Sequence, residues 1–285
     1  MNINILLVIG AIICWGIEDF LAQKSARKIG DVESLFFITL IGTIILLPFA
    51  IKDFNMLFSK QNLMVLLALT LIHFIGALFY FESLKRGKLS VVDVIFEFEL
   101  PITIVFGIFL IKEYISSFQA IMMGVLFVGI ILIAIKSFSH FKAKLEKGIF
   151  FAFIAAIFFG LTNFFSAFSS RITSPVVSLW FVWLMMCILS LIWILSSKNF
   201  KFIIKGERKL KLMMLFMGLT ATFAWLFYFM AVAKEKIAVV TAITEIYPAI
   251  SVTLGVLINK EKIKHHQVIG IILAIVSAVI LGFTL

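Results

Sequence analysis

Ten stretches of the chain are almost continuously apolar, and the short segments between them hold most of the charged and turn-forming residues. They run over roughly 3–22, 33–51, 63–83, 89–111, 117–135, 148–168, 175–196, 212–232, 237–258 and 266–284. At about 20 residues, each is long enough to cross the hydrocarbon core as an α-helix. The runs are apolar on every face and lack the period-two alternation of a membrane β-barrel strand. The first run has no basic leader and is followed by Lys24, Arg27 and Lys28. It is therefore expected to be a retained first span, not a cleaved signal peptide. The pattern predicts an all-α integral membrane protein with ten transmembrane helices.

Composition agrees with that reading. Of the 285 residues, 63% are hydrophobic and 14% charged, against about 45–50% apolar in a soluble domain; mean hydropathy is +1.18. Ten helices use about 200 residues, which leaves loops and ends but no separate soluble domain. The net charge of +10 lies in short loops between apolar spans, so no nucleic-acid partner is expected. Of the 25 basic residues, 19 fall in loops that follow odd-numbered spans and 6 in loops that follow even-numbered spans. The basic face is expected to be cytoplasmic, which puts both termini on the extracytoplasmic side of a multi-pass plasma-membrane protein. Cys14 and Cys187 lie inside spans, with no CxxC pair or neighbouring histidines, so neither a disulfide framework nor a metal site is expected.

The chain also matches itself. A shift of 148 residues makes 12 of the 39 positions from Ser90 to Val128 identical, among them Glu97/Glu245, Gly107/Gly255, Lys112/Lys260, Glu113/Glu261 and Gln119/Gln267. Shared apolar composition supplies matched Val and Ile, but it does not readily supply matched Glu, Lys and Gln. A shift of 144 aligns Gly16/Gly160, Phe20/Phe164, Arg27/Arg171 and Ser34/Ser178, while Pro101 and Pro248 fall one position out of register. The repeats are placed at 1–140 and 147–285. Each has five spans, an odd number, so the second is expected to insert upside down relative to the first. Inverted repeats of this kind can enclose a midplane site that is exposed to either side in turn.

Several of these features together resemble the EamA-type drug/metabolite transporter family. They are the two five-helix halves, Trp15-Gly16 in the first span, a proline in the fourth and ninth spans, and Glu113 and Glu261 before glycine-containing helices. The resemblance implies a ten-helix secondary transporter. Its helices one to four and six to nine form a central cavity, and five and ten are peripheral. Several members of that family keep both termini in the cytoplasm, opposite to the charge count here.

Ionised side chains at the bilayer centre cost about 2.5–3.5 kcal/mol each on insertion scales, so Asp93, Glu97 and Glu99 in the fourth span are expected to face protein or a wet cavity, or to be protonated. On a continuous helix Asp93, Glu97 and Pro101 share one stripe and Glu99 points to the far side. Glu97 and its counterpart Glu245 are candidates to line the path from opposite repeats, binding a cationic group or exchanging a proton. The alternative is that they are protonated carboxyls bonded to carbonyls freed by the nearby prolines. Glu18 and Asp19 are candidates for a gate or ion-coupling site, or for headgroup contact. Glu113 and Glu261 are expected to cap the helices that follow them. His73, Gly76, Ala77 and Tyr80 share a face of the third span, and Ala221, Ala224, Trp225 and Tyr228 occupy the same offsets in the eighth. Gly76 and Ala224 are expected in helix packing, and Tyr80, Tyr228 and Trp225 in the cavity. His73 is expected to be hydrogen-bonded rather than metal-bound. Trp15 lines the path or packs under it. Thr162, Asn163, Ser166, Ser169 and Ser170 make the sixth span polar, fit for a water-facing wall or interhelical bonds.

The residues show no GxSxG, HExxH or DDxxD box, so no enzyme, cofactor or metal is expected. The functional expectation is an exporter of small organic metabolites such as amino acids or amines, working by alternating access with proton coupling. The alternative is a passive small-solute channel or an uptake carrier. Expected partners are the small-molecule substrate, the lipid bilayer and protons, with the chain acting as a monomer or homodimer.

Overall fold

The computed structural model describes residues 3–29, 31–86, 89–135, 147–196, 208–260 and 263–285. These form twelve α-helices. The first repeat holds α1 (Ile3–Ile29), α2 (Asp31–Ala50), α3 (Lys60–Arg86), α4 (Leu89–Phe96), α5 (Glu99–Leu110) and α6 (Ser117–Ala134). The second holds α7 (Lys147–Ile172), α8 (Pro175–Ser196), α9 (Arg208–Val232), α10 (Ile237–Thr244), α11 (Tyr247–Asn259) and α12 (His265–Gly282). A 3-10 turn, Ile51–Phe58, extends α2. Lipid offers no hydrogen bonds to a backbone, so the apolar runs satisfy themselves as helices. Among the described residues nine spans are long and apolar enough to cross a membrane. The fourth predicted span is present as two shorter helices, α4 and α5.

The fourth and ninth spans break at matching residues. α4 stops before a turn at Glu97–Phe98, and α10 stops before a turn at Glu245–Ile246. Pro101 and Pro248 explain the breaks: each lies in the first turn of the second segment, where its missing N–H costs nothing, but it could not continue the first segment's ladder. The prolines are one position out of register while the breaks coincide, so the matched glutamates mark the interruption better than the prolines do. Lys112 and Lys260, also matched, both take left-handed backbone (φ 61° and 57°) where α5 and α11 end.

The helices of each half pack mainly on the other half. α1 lies on α9 and α11, and correspondingly α7 lies on α3, α5 and α4; α2 packs on α8 and α6 on α12. These principal pairings are mirrored under exchange of the repeats, which is a pseudo-two-fold arrangement. Glycines set two of these contacts. A Cβ at Gly16 would stand 2.5 Å from Ile250 Cβ, and one at Gly160 would stand 2.5 Å from Ile102 Cγ2. Gly16 matches Gly160 and Ile102 matches Ile250, so the same close approach occurs twice. The outer pair α6–α12 crosses with backbone in contact at Gly129 and Gly270, as small residues permit where lipid leaves packing as the main attraction.

Both chain ends reach one face. Asn4 donates to Glu235 in the turn after α9, and Gln119 at the start of α6 donates to Thr284 (3.1 Å). This terminal face carries the loops after even-numbered spans. The helix ends at the opposite face are those that lead into the basic segments after odd-numbered spans.

Candidate functional site

A cavity of about 280 Å³ lies between the two halves. Its lining comes from α1, α2, α3, α4, α5, α7, α8, α9 and the α10–α11 break, and from neither α6 nor α12. The wall is built from matched positions whose residues have diverged. Trp15 and Phe159, Asp19 and Asn163, Thr39 and Trp183, His73 and Ala221, Ala77 and Trp225, and Glu99 and Tyr247 are repeat counterparts, and all twelve line it. Four carboxylic side chains, Glu18, Asp19, Glu99 and Glu245, face the space, and among the described residues the lining includes no lysine or arginine.

Aromatic rings surround these carboxyls. Trp15 meets Trp225 edge-on at 5.1 Å, and it stands 5.4 Å from Tyr228 and 6.1 Å from Tyr247. The His73 ring lies 5.1 Å from Trp225 and 5.4 Å from Phe159. Tyr80 packs on Phe96 at 4.6 Å, and Phe96 meets Phe159 at 5.1 Å. Edge-to-face pairs of this kind hold ring orientation as well as burying area. Ring faces beside carboxylates favour a cation twice, through the ring quadrupole and through charge.

The break in the fourth span changes the expected geometry there. The helical wheel assumed a continuous helix from 93 to 101 and turned Glu99 away from Glu97. The turn at Glu97–Phe98 resets the phase, and Glu99 becomes the first residue of α5, buried and facing the cavity. Asn163 Nδ2 on α7 donates to Glu99 Oε1 (2.7 Å) and to Thr103 Oγ1 (3.1 Å), tying the break to the opposite half. Glu97 is buried beside the lining rather than within it. The side chain of Asp93 lies outside the described residues.

The remaining candidates separate by surroundings. Tyr80, Trp225, Trp15 and His73 line the cavity. Tyr228 is buried behind it, hydrogen-bonded to Thr241 (2.8 Å), and packs on the wall residues Trp15 and Trp225. Gly76 packs against Phe158 and Phe159, and Ala224 is fully buried. In the polar sixth span Thr162 and Ser169 bond back to their own helix, because short hydroxyls reach the carbonyl one turn earlier. Asn163 carries the interhelical bonds.

Glu113 was expected to cap the next helix, α6. That helix is capped instead by Ser116 and Gln119. Glu113 reaches across to the other half, accepting from the backbone N–H groups of Ile237 (2.8 Å) and Ala238 (3.2 Å) at the start of α10. The left-handed turn at Lys112 aims it there. Glu261 lies outside the described residues.

Sequence reasoning missed Ser34, Phe96, Phe159, Trp183, Met186, Met217 and Tyr247, all in the lining. Phe159, Trp183 and Tyr247 stand at repeat positions matched to Trp15, Thr39 and Glu99. Matching identities could not find them, whereas matching positions would have.

A family model for EamA-like transporters matches residues 2–135 and 146–283. The chain belongs to the EamA-like transporter family. Similarity to individual proteins reaches nearly the full length of the chain in two cases. An uncharacterized transporter of Archaeoglobus fulgidus is 25% identical, covering 98% of each chain. One of Clostridium kluyveri is 28% identical over 91% of this chain and 85% of its own. An uncharacterized protein of Methanocaldococcus jannaschii is 28% identical over 140 residues, 99% of its length but only 49% of this one. A solved crystal structure superposes with a TM-score of 0.83 at 16% identity, over 97% of this chain and 95% of its own, which establishes a shared fold. The protein is thus a multi-pass membrane transporter.

Proposed function

We propose that the protein is a secondary carrier that exports small organic metabolites bearing an amine, amino acids among them, by alternating access through the central cavity. The observation that carries this reading is the lining: four carboxylic groups within an aromatic wall, without a lysine or arginine among the described residues. Four such groups in about 280 Å³ cannot all hold charge unless their repulsion is relieved by a bound cation or by protons. Substrate ammonium and protons then compete for the same oxygens, which is the chemical basis of exchange. On this reading Glu245 and Glu99 bind the amine or the proton, Asn163 orients Glu99, and Trp15, Trp225, Tyr80 and Tyr247 enclose the apolar part. Glu97, buried at the turn, supports the break. Glu18 and Asp19 stand at the entrance as the gate or ion-coupling pair.

The charge bias of the loops supports a cytoplasmic basic face, in the plasma membrane, with both termini outside. If the cavity loads from that face, it loads from the cytoplasm, the direction of an exporter. The lining among the described residues comes from one chain, which supports a monomer as the transporting unit, alone or within a homodimer.

The test is uptake of labelled amines and amino acids by proteoliposomes across an imposed pH step. Protons added on the loading side should compete with the substrate, raising its apparent KM as pH falls. In Glu99→Gln combined with Glu245→Gln, transport should drop and its pH dependence flatten. An unchanged pH profile in that double variant would overturn the coupling.

A further inference from the structure

The two halves are matched in sequence but not in packing. α10, the first segment of the broken ninth span, is buried over its whole length, Ile237–Thr244. It packs across the molecule on α5, α7 and α6 as well as on its neighbours. Its counterpart α4, among the described residues, packs principally on α7, α6 and α3, without the corresponding seat on α11, α1 and α12. The cavity follows this asymmetry. Its lining residues in α2 and α3, such as Ser34 and Tyr80, lie in the half of each span nearer the basic face, while those of α8, Trp183 and Met186, lie at its middle. Between the cavity and the terminal face stand Tyr228, Phe229, Val232, Ile237 and Val240, each at most 2% exposed.

A single polar assembly holds that layer at the terminal face. Glu113, whose side chain is 6% exposed, accepts from the first two N–H groups of α10. Arg171, at the end of α7, lies 3.5 Å from the same carboxylate. It also donates to the carbonyls of Val232 (3.1 Å) and Glu235 (2.7 Å), on either side of the α9–α10 turn. Lys236 donates to the Tyr114 carbonyl (2.7 Å). Side chains of the first half and of α7 thus grip the start of α10. Glu113 satisfies backbone donors at a helix start, where a carboxylate is favoured, and Arg171 satisfies two carbonyls that the turn leaves free.

We propose that α10, held by Glu113 and Arg171, is the gate that closes the terminal face, and that releasing this grip is the step by which the cavity opens there. This rests on the alternating-access reading above. The polar partners of Glu113 and Arg171 lie at the terminal face, away from the cavity lining, and both act as positioning residues. They set how often the terminal face opens, not what the cavity binds.

The experiment reads sidedness. Ala221, on the cavity wall, is replaced by cysteine in a chain carrying Cys14→Ala and Cys187→Ala. The protein is reconstituted in vesicles and labelled with a membrane-impermeant thiol reagent from either side. The parent should label from the basic face and slowly from the terminal face. Arg171→Gln and Glu113→Gln should each raise terminal-face labelling by about tenfold, with a matching loss of basic-face labelling, as a shifted two-state equilibrium requires. Arg171→Lys, which keeps charge but not the three-way grip, should fall between. Unchanged sidedness in both glutamine variants, with thermal unfolding as in the parent, would overturn the gate. Should Arg171→Gln unfold, Glu113→Gln decides alone, since glutamine keeps one acceptor oxygen and the side-chain volume. A parent that labels equally from both faces would also overturn the gate, since the terminal face would then not be held closed, while leaving the alternating-access reading standing.

Discussion

At the scale of single residues, the positions that matter most are those where two halves touch through one atom or one bond. Gly16 and Gly160 each leave no room for a Cβ against the isoleucine opposite. Leucine at either site should lower the unfolding free energy by about 1–3 kcal/mol, seen as a lower thermal midpoint in detergent. Gly124→Leu, where nothing lies within 4 Å of an added Cβ, should leave that midpoint unchanged. Asn163 is the other such position. Its two bonds to Glu99 and Thr103 are buried between repeats, and leaving a buried acceptor without its donor costs about 1–3 kcal/mol. Asn163→Leu should therefore weaken substrate binding in the cavity, measured as a rise in KM, even with the chain still folded. The identity of Asn163 was legible in an unusually polar sixth span. Its partner was not, because the bond joins residues 64 apart and the turn at Glu97–Phe98 rotates Glu99 toward it.

At the scale of elements, the apolar runs predicted nearly every helix, for a plain reason: lipid leaves the backbone no alternative. The breaks were only half legible. Pro101 and Pro248 announced an interruption, yet a wheel drawn across 93–101 treated the span as continuous and misdirected Glu99. The short helix α10 carries the larger consequence, since its eight residues are all buried and its start is held by Glu113 from the other half. Nothing adjacent in sequence pointed to that grip; the matched Glu113/Glu261 pair signalled importance without a partner. Discontinuous helices are where transporters of this kind bend. Pro248→Ala supplies the N–H that a continuous ninth helix needs. It should slow exchange by about an order of magnitude while leaving thermal stability equal or higher, as expected for a step limited by motion rather than by binding.

At the scale of the whole molecule, the repeats are intertwined. α1 packs on α9 and α11, α7 on α3 and α5, and α2 on α8, so neither half buries its own polar positions alone. Fragments 1–140 and 147–285 should each be degraded when expressed singly and should copurify when expressed together. The same interweaving creates the cavity, since its walls come from counterpart positions on both halves. The central claim is that this cavity is offered to one side of the membrane and then to the other. Counterflow tests it most directly: proteoliposomes preloaded with unlabelled amine substrate are given a trace of labelled substrate outside. An alternating carrier predicts a transient accumulation of label above equilibrium that saturates with external concentration. Flux that rises linearly and ignores the internal substrate would contradict it.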